Sequence, residues 1–123
     1  MKKIAFTLGV TVLGLVGCAS TPNTSLYSWG EFPQQTYIML SAPEKSGPQE
    51  QIAKLEKDIE KAKASNRAVP PGLYAHLGLL NLNINNLSAA GQYFELERQT
   101  YPESTVLMDR LLQKMKPSVK GSK

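Results

Sequence analysis

Residues 70–104, PPGLYAHLGLLNLNINNLSAAGQYFELERQTYPES, decide the fold. Pro70-Pro71-Gly72 opens the stretch and Pro102 closes it, and neither end can continue a helix without a break. Asn85-Asn86 marks a turn in the middle, since asparagine tolerates turn conformations and caps a following helix. The two arms read as helices at about 71–84 and 87–99. Gly78 and Ala90 are small where two packed helices must approach, while Tyr74, Leu77 and Phe94 are large where the gap between them must be filled.

The spacing of these residues resembles one tetratricopeptide (TPR) unit, a pair of antiparallel helices of about 34 residues with the pattern W-x2-L-G-x2-Y…A-x3-F…P. With Pro102 as the closing proline, Tyr74 takes the Trp position and Leu77-Gly78 the Leu-Gly pair. Ala90 and Phe94 take the small and aromatic positions of the second helix. Asn81 stands at the Tyr position, and Glu97 at a position usually small. Both departures fall where a following helix packs in TPR arrays, so this unit is not expected to stack into a long array. In TPR proteins the inner face of the first helix lines a peptide groove; carried over, that face comprises Ala75, Leu79, Leu82 and Asn83. Leu79 and Leu82 then need cover, either within the chain from a helix at 48–66 or the aromatic segment before it, or from a partner.

Working outward, Pro48 and Glu50 suit the first turn of a helix at about 48–66. Ile52, Leu55, Ile59 and Ala62 follow at spacings of three, four and three, which places them on one face. The other face carries Lys54, Glu56, Lys57, Asp58, Glu60, Lys61 and Lys63 and reads as solvated. The stripe is narrow, so the helix must lie against the central pair to be stable. On the C-terminal side, Leu107, Leu111 and Met115 recur every four residues, giving a helix at about 103–116 that closes the exposed end of the pair. Pro117 stops it, and 117–123 reads as a disordered basic tail. The fold class is therefore all-α, a small TPR-like bundle of about four helices over 48–116.

The region before the bundle divides in three. Residues 1–17 have the form of a signal peptide: Lys2 and Lys3, then an uncharged run of 13 residues from Ile4 to Val16. That run is shorter than the roughly 20 residues that span a bilayer core. It ends in Leu15-Val16-Gly17-Cys18, which resembles the lipobox of bacterial lipoproteins. The resemblance implies diacylglycerol on the Cys18 sulfur, cleavage before Cys18 and acylation of the new amino group. Ala19, in place of an Asp that would resemble an inner-membrane retention signal, favours the periplasmic leaflet of the outer membrane. Residues 18–26 form a short flexible tether, and 27–47 an aromatic-rich segment with Tyr27, Trp29, Phe32 and Tyr37 ahead of Ile38-Met39-Leu40. Gly30 and Pro33 argue against a long regular element there and leave room for a short helix or turn from Gln34 to Leu40. The rings of Tyr27, Trp29 and Phe32 either cap the core or form a recognition surface; the sequence is compatible with both.

The chain has 123 residues, room for one ordinary domain, with 41% hydrophobic and 20% charged residues. Its net charge of +4 includes Lys2 and Lys3, and without them 12 basic residues face 10 acidic ones. No basic face suggests nucleic-acid binding. Cys18 is the sole cysteine, which excludes an internal disulfide and a cysteine metal site. His76 is the only histidine and is expected on a helix surface without a partner. Glu95, Glu97 and Asp109 read as ordinary surface charges. With no nucleophile–base pair, ligand cluster or phosphate loop, neither catalysis nor a cofactor is expected.

Leu26-Tyr27-Ser28-Trp29-Gly30, EQIAKLEKDIEKAKA at 50–64, VPPGLYAHLG at 69–78 and YPES at 101–104 together resemble a family of small bacterial lipoproteins defined by a domain of unknown function. The resemblance covers roughly 24–116 and implies an accessory component found with a lipoprotein similar to the curli-secretion pore. The expected function is a non-catalytic adaptor at the outer membrane that binds an envelope protein. A regulator of peptidoglycan synthesis and a mainly structural envelope lipoprotein are the alternatives.

Overall fold

The computed structural model describes residues 25–116. The expected signal peptide, Cys18, the expected tether up to Thr24 and the expected tail from Pro117 lie outside the described residues. Five α-helices follow one another: α1 (Phe32–Ser41), α2 (Pro48–Ala64), α3 (Leu73–Asn83), α4 (Leu87–Thr100) and α5 (Thr105–Met115). Single 3-10 turns, Pro43–Lys45 and Pro102–Ser104, precede α2 and α5. Each helix packs on its neighbour in sequence, with α3 between α2 and α4 and α5 on the far side of α4. The described part of the chain is all-α.

The helix boundaries have local causes. Pro48 opens α2 where its missing N–H is not needed, and Glu50 in the first turn pairs with Lys54 at 2.7 Å. Asn66, at φ 52°, reverses the chain after α2, and Arg67 N–H donates to the Ala62 carbonyl at 2.9 Å. Between α3 and α4, Asn85 sits at φ 59° and the Asn86 side chain accepts the Ala89 N–H at 3.2 Å. Tyr101 ends α4 and sends its hydroxyl to the Val69 carbonyl, which fixes the strand-like link before α3. Beside that link runs the first described stretch: Ala68 N–H donates to Leu26 and Ser28 N–H to Ala68, one isolated parallel bridge.

Two apolar clusters hold the helices. Leu55, Ile59 and Ala62 of α2 meet Leu73, Tyr74, Leu77 and Leu80 of α3, with Phe32, Met39 and Ile52 at the margin. Ala90 and Phe94 of α4 meet Met108 of α5, flanked by Ala75, Leu79, Leu82, Leu111, Leu112 and Met115. The close approach of α3 and α4 occurs at Gly78. A Cβ there would lie 2.3 Å from Cε1 of Phe94, so the ring occupies the space a side chain needs.

Several expectations change. The N-terminal helix spans Phe32–Ser41 rather than 34–40, because Pro33 falls in its first turn, where it is compatible with a helix, and Gly30 makes the preceding turn at φ 48°. On α5 the fully buried residue is Met108, and Leu107 is 57% exposed; the inward stripe is Met108, Leu111, Leu112 and Met115. His76 is buried, not on the surface, with its ring edge-on to Phe32 at 5.8 Å. Asp58 and Glu97 are also buried, each taking a backbone N–H at the start of another helix. Leu79 and Leu82 are half-buried, and their cover comes from the Ala90–Phe94–Met108 cluster, not from α2 or the aromatic segment.

Candidate functional site

A groove runs between α2 and α4 with α3 beneath it. One part, about 600 Å³, is walled by Gln49, Ile52, Ala53 and Glu56 on one side and Ala89, Gln92, Tyr93 and Leu96 on the other; Asn81, Ile84 and Asn86 complete its lining. A second part, about 430 Å³, continues past Ile59, Glu60, Lys63 and Tyr74. The two share Glu56, Tyr93 and Leu96, and there the Tyr93 hydroxyl donates to Glu56 Oε1 at 2.8 Å, a strut across the groove.

Helical spacing builds the walls. On α4 the residues that face α3 are Ala90, Phe94 and Glu97, so Ala89, Gln92, Tyr93 and Leu96 form the adjacent edge toward α2. Gln49, Ile52, Ala53 and Glu56 make the matching edge of α2. Asn81 donates its side-chain N–H to the Leu77 carbonyl at 2.8 Å, which satisfies a polar group in a place otherwise apolar. Tyr74 and Tyr93 stack with ring centres 6.5 Å apart.

Burial pushes the Tyr93 hydroxyl well above the ordinary tyrosine range, and the hydrogen bond to Glu56 adds to the shift. Tyr74 is raised in the same way, chiefly by burial. Both phenols are therefore neutral near pH 7, and the single O–H of Tyr93 is already given to Glu56. Amides at Gln49, Asn86 and Gln92 both donate and accept, and Ile52, Ile84 and Leu96 supply apolar contact. That mixture suits recognition of a peptide backbone with intermittent apolar side chains. Among the described residues, no group of three His, Cys, Asp or Glu side chains could hold a metal ion.

The residues singled out from sequence fall in two other places. Tyr27, Trp29 and Phe32 form a chain of rings, Tyr27 edge-on to Trp29 at 5.9 Å and Trp29 stacked on Phe32 at 6.4 Å. Phe32 is half-buried against the α2–α3 cluster, while Trp29 stays 46% exposed, so the aromatic segment both caps the core and presents a surface. Leu79 and Leu82 lie with the α4–α5 cluster, apart from this chain of rings. Cys18 lies outside the described residues.

The charge pattern of α2 hides Glu56 among solvated neighbours, and the TPR pattern has no place for Tyr93. The available signal is Tyr93 beside Phe94. Two adjacent aromatics on one helix point about 100° apart, so one enters the core and the other faces elsewhere. A further surface feature joins α4 to α5: Arg98 donates to Glu95 at 2.6 Å and to Asp109 at 2.7 Å.

A family model described as "Domain of unknown function (DUF4810)" matches residues 26–111, from the stretch beside Ala68 to the middle of α5. No curated protein and no solved structure matches the chain.

Proposed function

The chain belongs to the domain-of-unknown-function family DUF4810, and we propose that its helical unit is a non-catalytic adaptor that binds a segment of an envelope protein in the α2–α4 groove. In this reading the α3–α4 pair is a TPR-like unit, supported by the contact of Phe94 with Gly78. The chain is a lipoprotein, anchored through Cys18 to the periplasmic leaflet of the outer membrane. The lipobox-like Leu15-Val16-Gly17-Cys18 supports that assignment. No described helix is long and apolar enough to cross a membrane.

The observation that carries the adaptor reading is the groove itself, with an amide and apolar side chains on each of its two helical edges. An extended strand of a partner brings unpaired N–H and C=O groups, which Gln49, Asn86 and Gln92 are equipped to meet, and its apolar side chains find Ile52 and Leu96. The partner class implied by the family resemblance is a lipoprotein similar to the curli-secretion pore.

Site-specific photocrosslinking from the membrane-bound full chain tests this. Ala53 and Leu96 are both exposed groove residues, so a crosslinker at either leaves the core intact. Leu79 and Leu82 are poorer sites, because they pack on Phe94 and Met108. One envelope protein should crosslink from both groove positions and not from Lys114 on α5. The Ala53→Glu and Leu96→Glu variants should stay folded and lose that partner. Retention of the partner by both variants sinks the groove as its site, and a chain recovered only by itself sinks the adaptor reading.

A further inference from the structure

The ten residues of α1, FPQQTYIMLS, contain no charged side chain, whereas α2 beside it carries eight. Gln35 and Ile38 face inward and are buried. The opposite face of α1 holds Tyr37 and Leu40, one turn apart, 55% and 76% exposed. Trp29, 46% exposed, stands just before the helix, with Leu26, 69% exposed, ahead of it. Single exposed apolar residues are ordinary on a soluble surface. Four large ones within fifteen residues, along an element without a charge, are a surface suited to something other than water.

We infer that the outer face of α1, together with Trp29, lies in the headgroup–acyl boundary of the membrane that anchors the chain. This rests on the reading of Cys18 as the lipidated residue. Leu26 follows Cys18 by eight positions in the sequence. Even fully extended, a stretch of that length spans no more than about 28 Å, at roughly 3.3–3.6 Å per residue. The bilayer is thus held beside this end of the fold at high effective concentration, and among the described residues the other large exposed apolar side chains, from Leu87 onward, lie much further along the chain from Cys18.

The chemistry of the face fits that occupant. Trp and Tyr rings combine an apolar body with a polar edge, which favours the level of the headgroups. Leu40 adds apolar area, and an uncharged helix loses no ionic hydration when it settles there. Glu31, just before the helix, has its carboxyl engaged by the Gln35 side-chain amide at 3.0 Å. None of the residues lining the α2–α4 groove comes from α1, so bilayer contact leaves the groove open.

Trp29 is the only tryptophan, so its emission reports this position alone. The test uses the full chain with Cys18 intact, purified from membranes and reconstituted into phosphatidylethanolamine–phosphatidylglycerol vesicles with or without lipids brominated near the headgroup. Intact mass establishes the acyl chains. The expected result is an acylated protein whose Trp29 emission is blue-shifted and largely quenched by the brominated lipid. Tyr37→Glu combined with Leu40→Glu, both on exposed positions, should leave the helical content unchanged and relieve the quenching. An acylated protein with unquenched Trp29 overturns the inference while leaving the anchor standing, as does Trp29 shielded instead by a protein crosslinked to it. Full quenching in the double variant removes α1 from the contact and overturns it too. A mass without acyl chains sinks the anchor and the inference together.

Discussion

At the start of α3, Gly72 turns at φ 92° and its N–H donates at 2.7 Å to the carboxyl of Glu97, a residue of α4 with no exposed surface. At the start of α1, Gly30 turns at φ 48° and the next N–H, from Glu31, goes to the buried carboxyl of Asp58 on α2. In both places a left-handed glycine precedes a helix that lacks a side-chain cap of its own, and a carboxyl from another helix supplies the acceptor. A negative group at a helix N-terminus also faces the favourable end of its dipole. The two differ in what else they hold. Glu97 takes the Ser104 hydroxyl at 3.0 Å as well, so it joins the starts of α3 and α5 to α4. Asp58 pairs otherwise with Lys61 of its own helix, whose side chain is 59% exposed. One carboxyl sits at the junction of three elements and the other at the rim, so α3–α5 form the cooperative centre and α1 is an attached piece.

The strongest way to break this comparison is Glu97→Ala. It leaves the Gly72 N–H and Ser104 hydroxyl without their acceptor and opens a cavity at a site with no exposed surface. The expected loss is about 3 kcal/mol, or a Tm about 15 °C lower for a domain of this size. Thermal unfolding by circular dichroism should show all helices melting together. A loss below about 1 kcal/mol would mean the junction is held by apolar packing alone.

Asp58→Ala should cost less, about 1–2 kcal/mol, and act locally. Gly30→Ala should act in the same direction, because a Cβ there adopts a left-handed backbone and falls 2.3 Å from the Asp58 carboxyl. Hydrogen exchange gives the sharper reading: amides of α1 should lose protection in both variants while those of α3 and α4 keep theirs. Uniform loss of protection across all five helices would make α1 part of the centre and erase the distinction drawn here.

The same contrast explains how much was legible in the sequence. Ile52, Leu55, Ile59 and Ala62 repeat at helical spacing, and Asn85-Asn86 signals its turn locally, so α2 and the α3–α4 pair could be drawn within a few residues. The Gly78–Phe94 approach was legible too, because a small residue facing a large one is a pattern in composition. The carboxyl clamps were not. Asp58 lies in a run of charges that looks uniformly solvated, and its partner Glu31 is 27 residues away; Gly72 and Glu97 are 25 apart. Pairings that exist only after the helices pack leave no periodic trace. The groove was hidden for a related reason: Glu56 and Tyr93 sit 37 residues apart, and only the register of α4, set by Phe94, turns Tyr93 toward α2. On α5 a repeat of four fitted Leu107, Leu111 and Met115, yet packing chose Met108, since helical periodicity leaves two adjacent stripes nearly equivalent.

His76 tests the seam between the two regions with the smallest effect. Its ring, buried on α3, meets Phe32 of α1 edge-on, and Phe32 also reaches to within 3.6 Å of where a Cβ on Gly72 would stand. Burial holds His76 below the ordinary histidine value of 6.5. In the folded chain it stays neutral at a pH where the unfolded chain has already taken up a proton. Its share of the stability is therefore complete above about pH 6.5 and is lost as the pH falls from there through the folded-state value. Carboxyl groups titrate in the lower part of that range, so the measurement is the difference in unfolding free energy between the natural chain and His76→Gln, followed from pH 7.5 to about 5. That difference should shift against the natural chain as acid is added, accompanied by a change in Trp29 emission, because Trp29 stacks on Phe32. Parallel stability curves would mean that the imidazole is hydrated at the seam, and that Phe32 attaches α1 to α3 without excluding water from His76.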